Sequence, residues 1–245
     1  MSSATARDSL PIDRLAIVAL FVTALVVAQV TAAKLLAIAI PVSLPFAGAS
    51  LTLPGAALAY AVTFFASDCY AELYGRRAAQ EMVNVAFLMN FVVLALVWST
   101  IAAPAADPEF ASTFATVLGA SGNIVAGSLL AYLVSQNWDV LVFHRIRDAT
   151  DGEHLWLRNV GSTATSQLID TVLFVGVAFY VLPQLGIGTQ LGLPLTAVAG
   201  PSIAALVVGQ YVLKLLIAVV DTPFVYLVVG AVRSRGAADR RVYAD

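Results

Sequence analysis

Apolar and polar residues fall along this chain in blocks. Six apolar stretches, roughly 15–39, 55–74, 81–103, 113–143, 157–182 and 197–232, are separated by short polar or proline-rich joints. A hydrocarbon layer about 30 Å thick is crossed by about 20 helical residues. The pattern therefore predicts an all-α integral membrane protein, a bundle of six transmembrane helices. Residues 1–13 read as a flexible N-terminus, 14–233 as the membrane domain and 234–245 as a polar tail. Pro41, Pro45 and Pro54 with Gly48 make 40–54 a turning segment. The stretch 113–143 is long enough to tilt or protrude. The last stretch exceeds a bilayer, so Pro201 or Pro223 is expected to break or kink it. A frayed or re-entrant seventh piece is the alternative.

Charge adds orientation. With both termini cytoplasmic, Arg7, Arg14, Arg76, Arg77, Arg145, Arg147, Arg158, Arg233, Arg235, Arg240 and Arg241 all lie on the inner side, and the three outer loops hold no arginine. The first stretch shows no short apolar core followed by a small-x-small cleavage site, so it reads as a span and not a removable signal. Composition agrees: 60% of the 245 residues are hydrophobic and 11% charged, against about 25% charged in soluble domains. A net charge of −2 without a basic, aromatic-interleaved stripe argues against a nucleic-acid partner. The single Cys69 excludes an internal disulfide and a cysteine-rich zinc cluster.

The candidate chemistry lies inside the spans. Residues 156–171 read WLRNVGSTATSQLIDT. Helical spacing places Asn159, Thr163, Gln167 and Asp170 in one polar stripe, with Ser162 and Ser166 beside it. At about 1.5 Å per residue, Asp170 stands roughly 18 Å above Arg158, deep in the bilayer. A carboxylate there is costly and marks function. The motif repeats: Ser135-Gln136-x-x-Asp139 precedes Ser166-Gln167-x-x-Asp170 on antiparallel neighbours. Both glutamines lie about nine residues from the inner end, so the two motifs read as halves of one polar site.

Other spans bring Lys34, then Asp68 and Glu72 one turn apart, then Gln210, Lys214 and Asp221 on one face. Structural readings stand beside the functional ones. Glu72 can form a solvated pair with Arg76, Lys214 can pair with Asp221, and Lys34 can snorkel to the outer interface. Asp170 with Gln167 can be a helix–helix clamp. Asn84, Asn90 and Asn123 read as interhelical hydrogen-bonding groups, and Trp98, Trp138 and Trp156 as interface anchors. Carboxylates, primary amides and hydroxyls together suit a guanine-like ring: a carboxylate accepts from its two adjacent N–H groups, an amide donates to its carbonyl. Tyr132, Phe143 or Phe174 could stack on it.

Five motifs occur in this order: Gln29-Val-Thr-Ala-Ala-Lys34; Ser67-Asp68-x-x-x-Glu72-x-x-Gly75; Ser135-Gln136-x-x-Asp139; Leu155-Trp-Leu-Arg-Asn159 with Ser166-Gln167-x-x-Asp170-Thr171; and Tyr211-x-x-Lys214 with Asp221-Thr-Pro223. In these the chain resembles the queuosine precursor transporters, a branch of the vitamin uptake transporter family. The resemblance covers all six spans. It departs at Ala33, where a polar residue is expected. It implies a multi-pass importer in the plasma or inner membrane, carrying 7-deazaguanine precursors of modified tRNA bases such as 7-cyano-7-deazaguanine, with no cofactor and no metal. Partners are then the small-molecule 7-deazapurine and the lipid bilayer, with a homodimer left open.

On this reading Gln136, Asp139, Asn159, Ser166, Gln167 and Asp170 bind cargo. Lys34, Asp68, Glu72, Arg158, Gln210, Lys214 and Asp221 support, gate or couple. An intramembrane protease finds one match, Gly119-Ala-Ser121-Gly122, but the only histidines, His144 and His154, fall in an inner loop far from Ser121, so the nucleophile lacks a base. A channel would need a ring of one residue type, which is missing. The remaining alternative is the cargo-capturing subunit of an energy-coupling-factor importer, which needs partner ATPases. The chain reconstituted alone in liposomes is expected to transport without ATP; a strict requirement for partner subunits and ATP would establish the alternative.

Overall fold

A computed structural model describes residues 11–151, 153, 155–186 and 200–242; side chains are described throughout these except at 155–159, 201 and 235–242. The chain runs α1 (Ile12–Thr31), β1 (Leu35–Leu44), β2 (Gly48–Pro54), α2 (Ala57–Tyr74), α3 (Arg76–Ala102), α4 (Pro108–Gly119), α5 (Ser121–Ala149), α6 (Leu155–Gly176) and α7 (Gly200–Val242). Helix α6 continues through a wider turn, Val177–Val181, into the short Leu182–Gln184. Among the described residues, five helical stretches are long and apolar enough to cross a membrane: Ile12–Thr31, Arg76–Ala102, Pro108–Ala149, Val160–Gln184 and Ser202–Ser234. Helix α2 falls outside that set, since its 18 residues carry Asp68 and Glu72 with Thr63 and Ser67.

The first correction is to the all-α expectation. Residues 35–54 are neither the end of a helix nor an irregular turn but an antiparallel hairpin, paired from Leu35 with Pro54 to Ala39 with Ser50. The apolar run Leu35-Leu36-Ala37-Ile38-Ala39-Ile40 has hydropathy but no helical period, and its β-branched residues suit a strand. Pairing turns irregular between Ala39 and Leu44. Pro41, which has no N–H to donate, lies there. The tip turns at Phe46 and Gly48, both with φ near +64°. One face of β2 buries Leu51 and Leu53 against Val212 and Leu213 of α7. A Cβ at Gly209 would lie 2.4 Å from the Thr52 carbonyl oxygen, so strand and helix backbones touch. At the base, the Gly55 N–H donates to the Lys34 carbonyl at 2.6 Å.

The second correction concerns breaks. Pro223 lies inside a helix that continues to Val242. Thr222 turns its hydroxyl back onto the Ala218 carbonyl at 2.7 Å, and the helix runs on through the proline. Pro201 falls in the first turn of α7, where the missing N–H costs nothing. The long fourth stretch is instead divided at Ala120, between α4 and α5. Asp107 caps α4, accepting from the Glu109 and Phe110 N–H groups, with Pro108 at the first helical position.

Packing is by small residues, as expected where lipid leaves no hydrophobic drive between helices. One core gathers Ala28, Ala32, Ala56, Ala131 and Ala178 around Ile124, Phe174, Val175 and Leu206. Helix α5 lies along α6, and α2 lies between α1 and α7. Leu88, Phe91, Val92 and Leu96 of α3 face outward, an aggregating surface in water and an ordinary one in lipid. Gly209→Ala is expected to push the hairpin off α7 and lower thermal stability in detergent by the equivalent of about 1–3 kcal/mol. Gly230→Ala, with nothing within 4 Å of the added carbon, should be neutral or mildly stabilising. Equal melting temperatures for the two variants would contradict this packing.

Candidate functional site

Six helices, α1, α2, α3, α5, α6 and α7, line a cavity of about 260 Å³, slightly below the usual range of ligand pockets, about 300–1,000 Å³. Its aromatic walls are Phe21, Tyr60, Phe64, Phe87, Tyr132 and Phe174. Its polar groups are four glutamines (Gln80, Gln136, Gln167, Gln210), several hydroxyls, one carboxylate and one ammonium. The carboxylate is Asp170 and the ammonium Lys214. Lys214 Nζ donates to Asp170 Oδ2 at 2.6 Å, with the side chains 12% and 26% exposed respectively. Of the open readings, the intrahelical Lys214–Asp221 pair is not formed; Lys214 crosses to α6 instead.

The repeated motif is a reciprocal clasp. Ser135 on α5 donates to Asp170 Oδ1 at 3.4 Å, and Ser166 on α6 donates to Asp139 Oδ1 at 3.2 Å. Both bonds are long for O–H···O. Each serine also reaches its own helix, Ser135 to the Tyr132 carbonyl and Ser166 to the Thr163 carbonyl. The clasp sets the two helices in register, and Gln136 and Gln167 both line the cavity. It is symmetric in sequence but not in charge: Asp170 lines the cavity and holds Lys214, whereas Asp139 and Ser166 stand outside the lining.

The remaining expected residues separate. Gln210 lines the cavity, buried, with its Oε1 unpartnered. Asp221 is buried, with Oδ2 unpartnered, and Asp68 is exposed; neither lines the cavity. Glu72 pairs with Arg233 of α7 at 2.8 Å, not with Arg76. Lys34 is exposed at the hairpin base, away from the cavity. Arg158 and Asn159 fall in the first turn of α6, and their side chains lie outside the described residues. Phe143 meets His144 edge-on and is no cavity wall. Ser121 is buried at the start of α5, and Gly122 packs under Trp98, the small-residue use of that motif.

Several lining groups carry no strong signal in the sequence. Gln80, near an arginine-rich helix start, reads as a solvated residue, yet it bonds Tyr132 and Asn84. Tyr132 also donates to Asn84 at 2.7 Å and stacks on Phe87 at 4.5 Å between centroids. Asn84 thus joins α3 to α5 as expected of it. Tyr60 meets Ser128 at 3.4 Å across α2 and α5; each is a lone polar residue in an apolar run.

Removing one member of a buried ion pair leaves the other uncompensated, at a cost of about 3–5 kcal/mol, whereas replacing both with apolar groups is close to neutral. Lys214→Met is therefore expected to lower thermal stability clearly, and Lys214→Met with Asp170→Met to recover most of it. A double variant as unstable as the single one would show that the pair does not carry this energy.

Comparison with known proteins follows the same lines. Residues 54–228, most of the chain, match the family model described as "Putative vitamin uptake transporter". The chain is 37% identical over 122 residues to a Bacillus subtilis (strain 168) protein named "Probable queuosine precursor transporter". That alignment covers 49% of this chain and 53% of the relative, so the chain spans about half the length of the curated relative it matches. No solved structure matches. The family is one of transporters and not of enzymes. With the matched region containing every cavity-lining residue except Phe21 and Leu25, the chain belongs to the vitamin uptake transporter family.

Proposed function

We propose that the chain imports 7-deazaguanine precursors of modified tRNA bases, 7-cyano-7-deazaguanine or a close relative, across the plasma or inner membrane. It would do so as six spans with both termini cytoplasmic, α2 supplying the span that apolarity alone does not count. The observation that carries this reading is the composition of one cavity: a carboxylate, four primary amides and six aromatic rings, in a volume suited to a small bicyclic base. The name of the Bacillus subtilis relative agrees with it.

In the proposed binding mode, Asp170 accepts from the two adjacent N–H groups on the guanine edge. Lys214 holds the carboxylate before cargo arrives and shares it afterwards. Gln136 and Gln167, brought level by the clasp, donate to the ring carbonyl or accept from ring N–H groups. The free Oε1 of Gln210 is a further acceptor. Tyr132 on Phe87, or Phe174, offers the stacking face. Asp139 and Ser166 act indirectly, by holding α5 and α6 in register. Binding between antiparallel helices at mid-depth suits exchange of access by rocking about a fixed site.

Asp170→Asn keeps an oxygen for Lys214 and Ser135 but loses the charge that grips two N–H groups. The unpaired Lys214 ammonium is expected to lower the variant's melting temperature while the variant still reaches the membrane, and at matched amounts of folded protein uptake of 7-cyano-7-deazaguanine is reduced at least a hundredfold, measured as rescue of tRNA modification in a strain that neither makes nor imports the base. Rescue at the level of the unaltered protein would discard the assignment.

A further inference from the structure

Gln29 of α1 is the most deeply buried glutamine in the described structure. It is 1% exposed, and neither its Oε1 nor its Nε2 has a hydrogen-bond partner. It carries on a face already in use. Phe21 and Leu25, eight and four residues earlier, line the cavity, and residues four apart share one side of a helix. Gln29 is therefore the next side chain along that wall, about 6 Å beyond Leu25 towards the hairpin base at Lys34 and Gly55. The Tyr60 hydroxyl, itself a cavity group in contact with Ser128, lies near the Gln29 amide but outside hydrogen-bond geometry. Ala28 beside Gln29 and Ala32 one turn on belong to the alanine-rich core that also holds the cavity-lining Ala131 and Phe174.

An unpaired primary amide in such a core destabilises the fold. A leucine would fill the same space without that cost, so packing does not account for a glutamine here. The arrangement makes sense if the amide finds its partners in another state of the protein. We infer that Gln29 is a cargo-contacting residue of the outer access path, hydrogen-bonding the polar edge of the base as it passes between the hairpin base and the Tyr60–Ser128 level. The conformation described here is then the one closed on that side. The inference rests on reading the cavity as a transport site.

The test compares Gln29→Leu with the unaltered full-length protein. The expected result is a melting temperature in detergent equal to or above that of the unaltered protein, with uptake of 7-cyano-7-deazaguanine reduced at least tenfold. A purely structural amide gives the reverse: Gln29→Leu melts several degrees lower. That result, or unchanged uptake, would overturn the proposal. Should the unaltered protein itself not take up this base, the cargo assignment fails, and the path is decided separately by Gln29→Cys in a Cys69→Ala background. Labelling by a membrane-impermeant maleimide added outside intact cells supports an outer path through position 29. Labelling only after denaturation contradicts it.

Discussion

A carboxylate can stand inside an apolar helical bundle only where its charge is answered. Lys214 answers Asp170 from across the α6–α7 contact, at 2.6 Å. Much of the arrangement follows from this pair. It ties α7 to α6, assisted by Tyr211, whose hydroxyl donates to the Ala164 carbonyl. It leaves the carboxylate on the cavity wall, held by Lys214 on one oxygen. A neutral pair at the cavity wall is also a poised one: a cargo with two adjacent donors can share the carboxylate without a bare charge appearing at any stage.

The Ser-Gln-x-x-Asp repeat places that pair. Because each serine bonds the other motif's aspartate, the same short motif on two antiparallel helices produces a local two-fold clasp. Lys214 breaks the symmetry by pairing with one aspartate, so that only one side of the joint faces the cavity. Small residues make this close approach feasible. Gly209 lets the hairpin lie against α7 on one side of the cavity. Gly127 does the same between α5 and the wide turn after α6, where a Cβ would meet that of Ala178 at 2.8 Å.

How much of this was legible in the sequence differs from place to place. The helical blocks were, because runs of apolar residues leave little choice in lipid. That Asp170, Gln136 and Gln167 share one polar site was legible from spacing alone, and all three line the cavity. The hairpin was not legible: an apolar strand and an apolar helix read alike by hydropathy, and only the alternation of β-branched residues before Pro41 distinguishes them. The partner of Lys214 was not legible either, since Asp221 on the same helix and Asp170 on a neighbour are equal candidates until the helices are packed. For the same reason Glu72 was assigned to Arg76, one turn away, and not to Arg233, 161 positions along the chain. Neutral groups such as Gln29, Tyr60 and Gln80 give no warning, because one polar residue in an apolar run becomes informative only when its neighbours are known.

The central claim is that the Asp170 carboxylate grips the cargo while Lys214 shares it. The most direct measurement is an experimental structure of the purified protein with 7-cyano-7-deazaguanine bound. The account predicts the base in this cavity, its adjacent N–H groups within hydrogen-bond distance of Asp170, and Lys214 still beside the carboxylate. A base bound elsewhere, or one in the cavity with Asp170 turned away from it, would contradict the account.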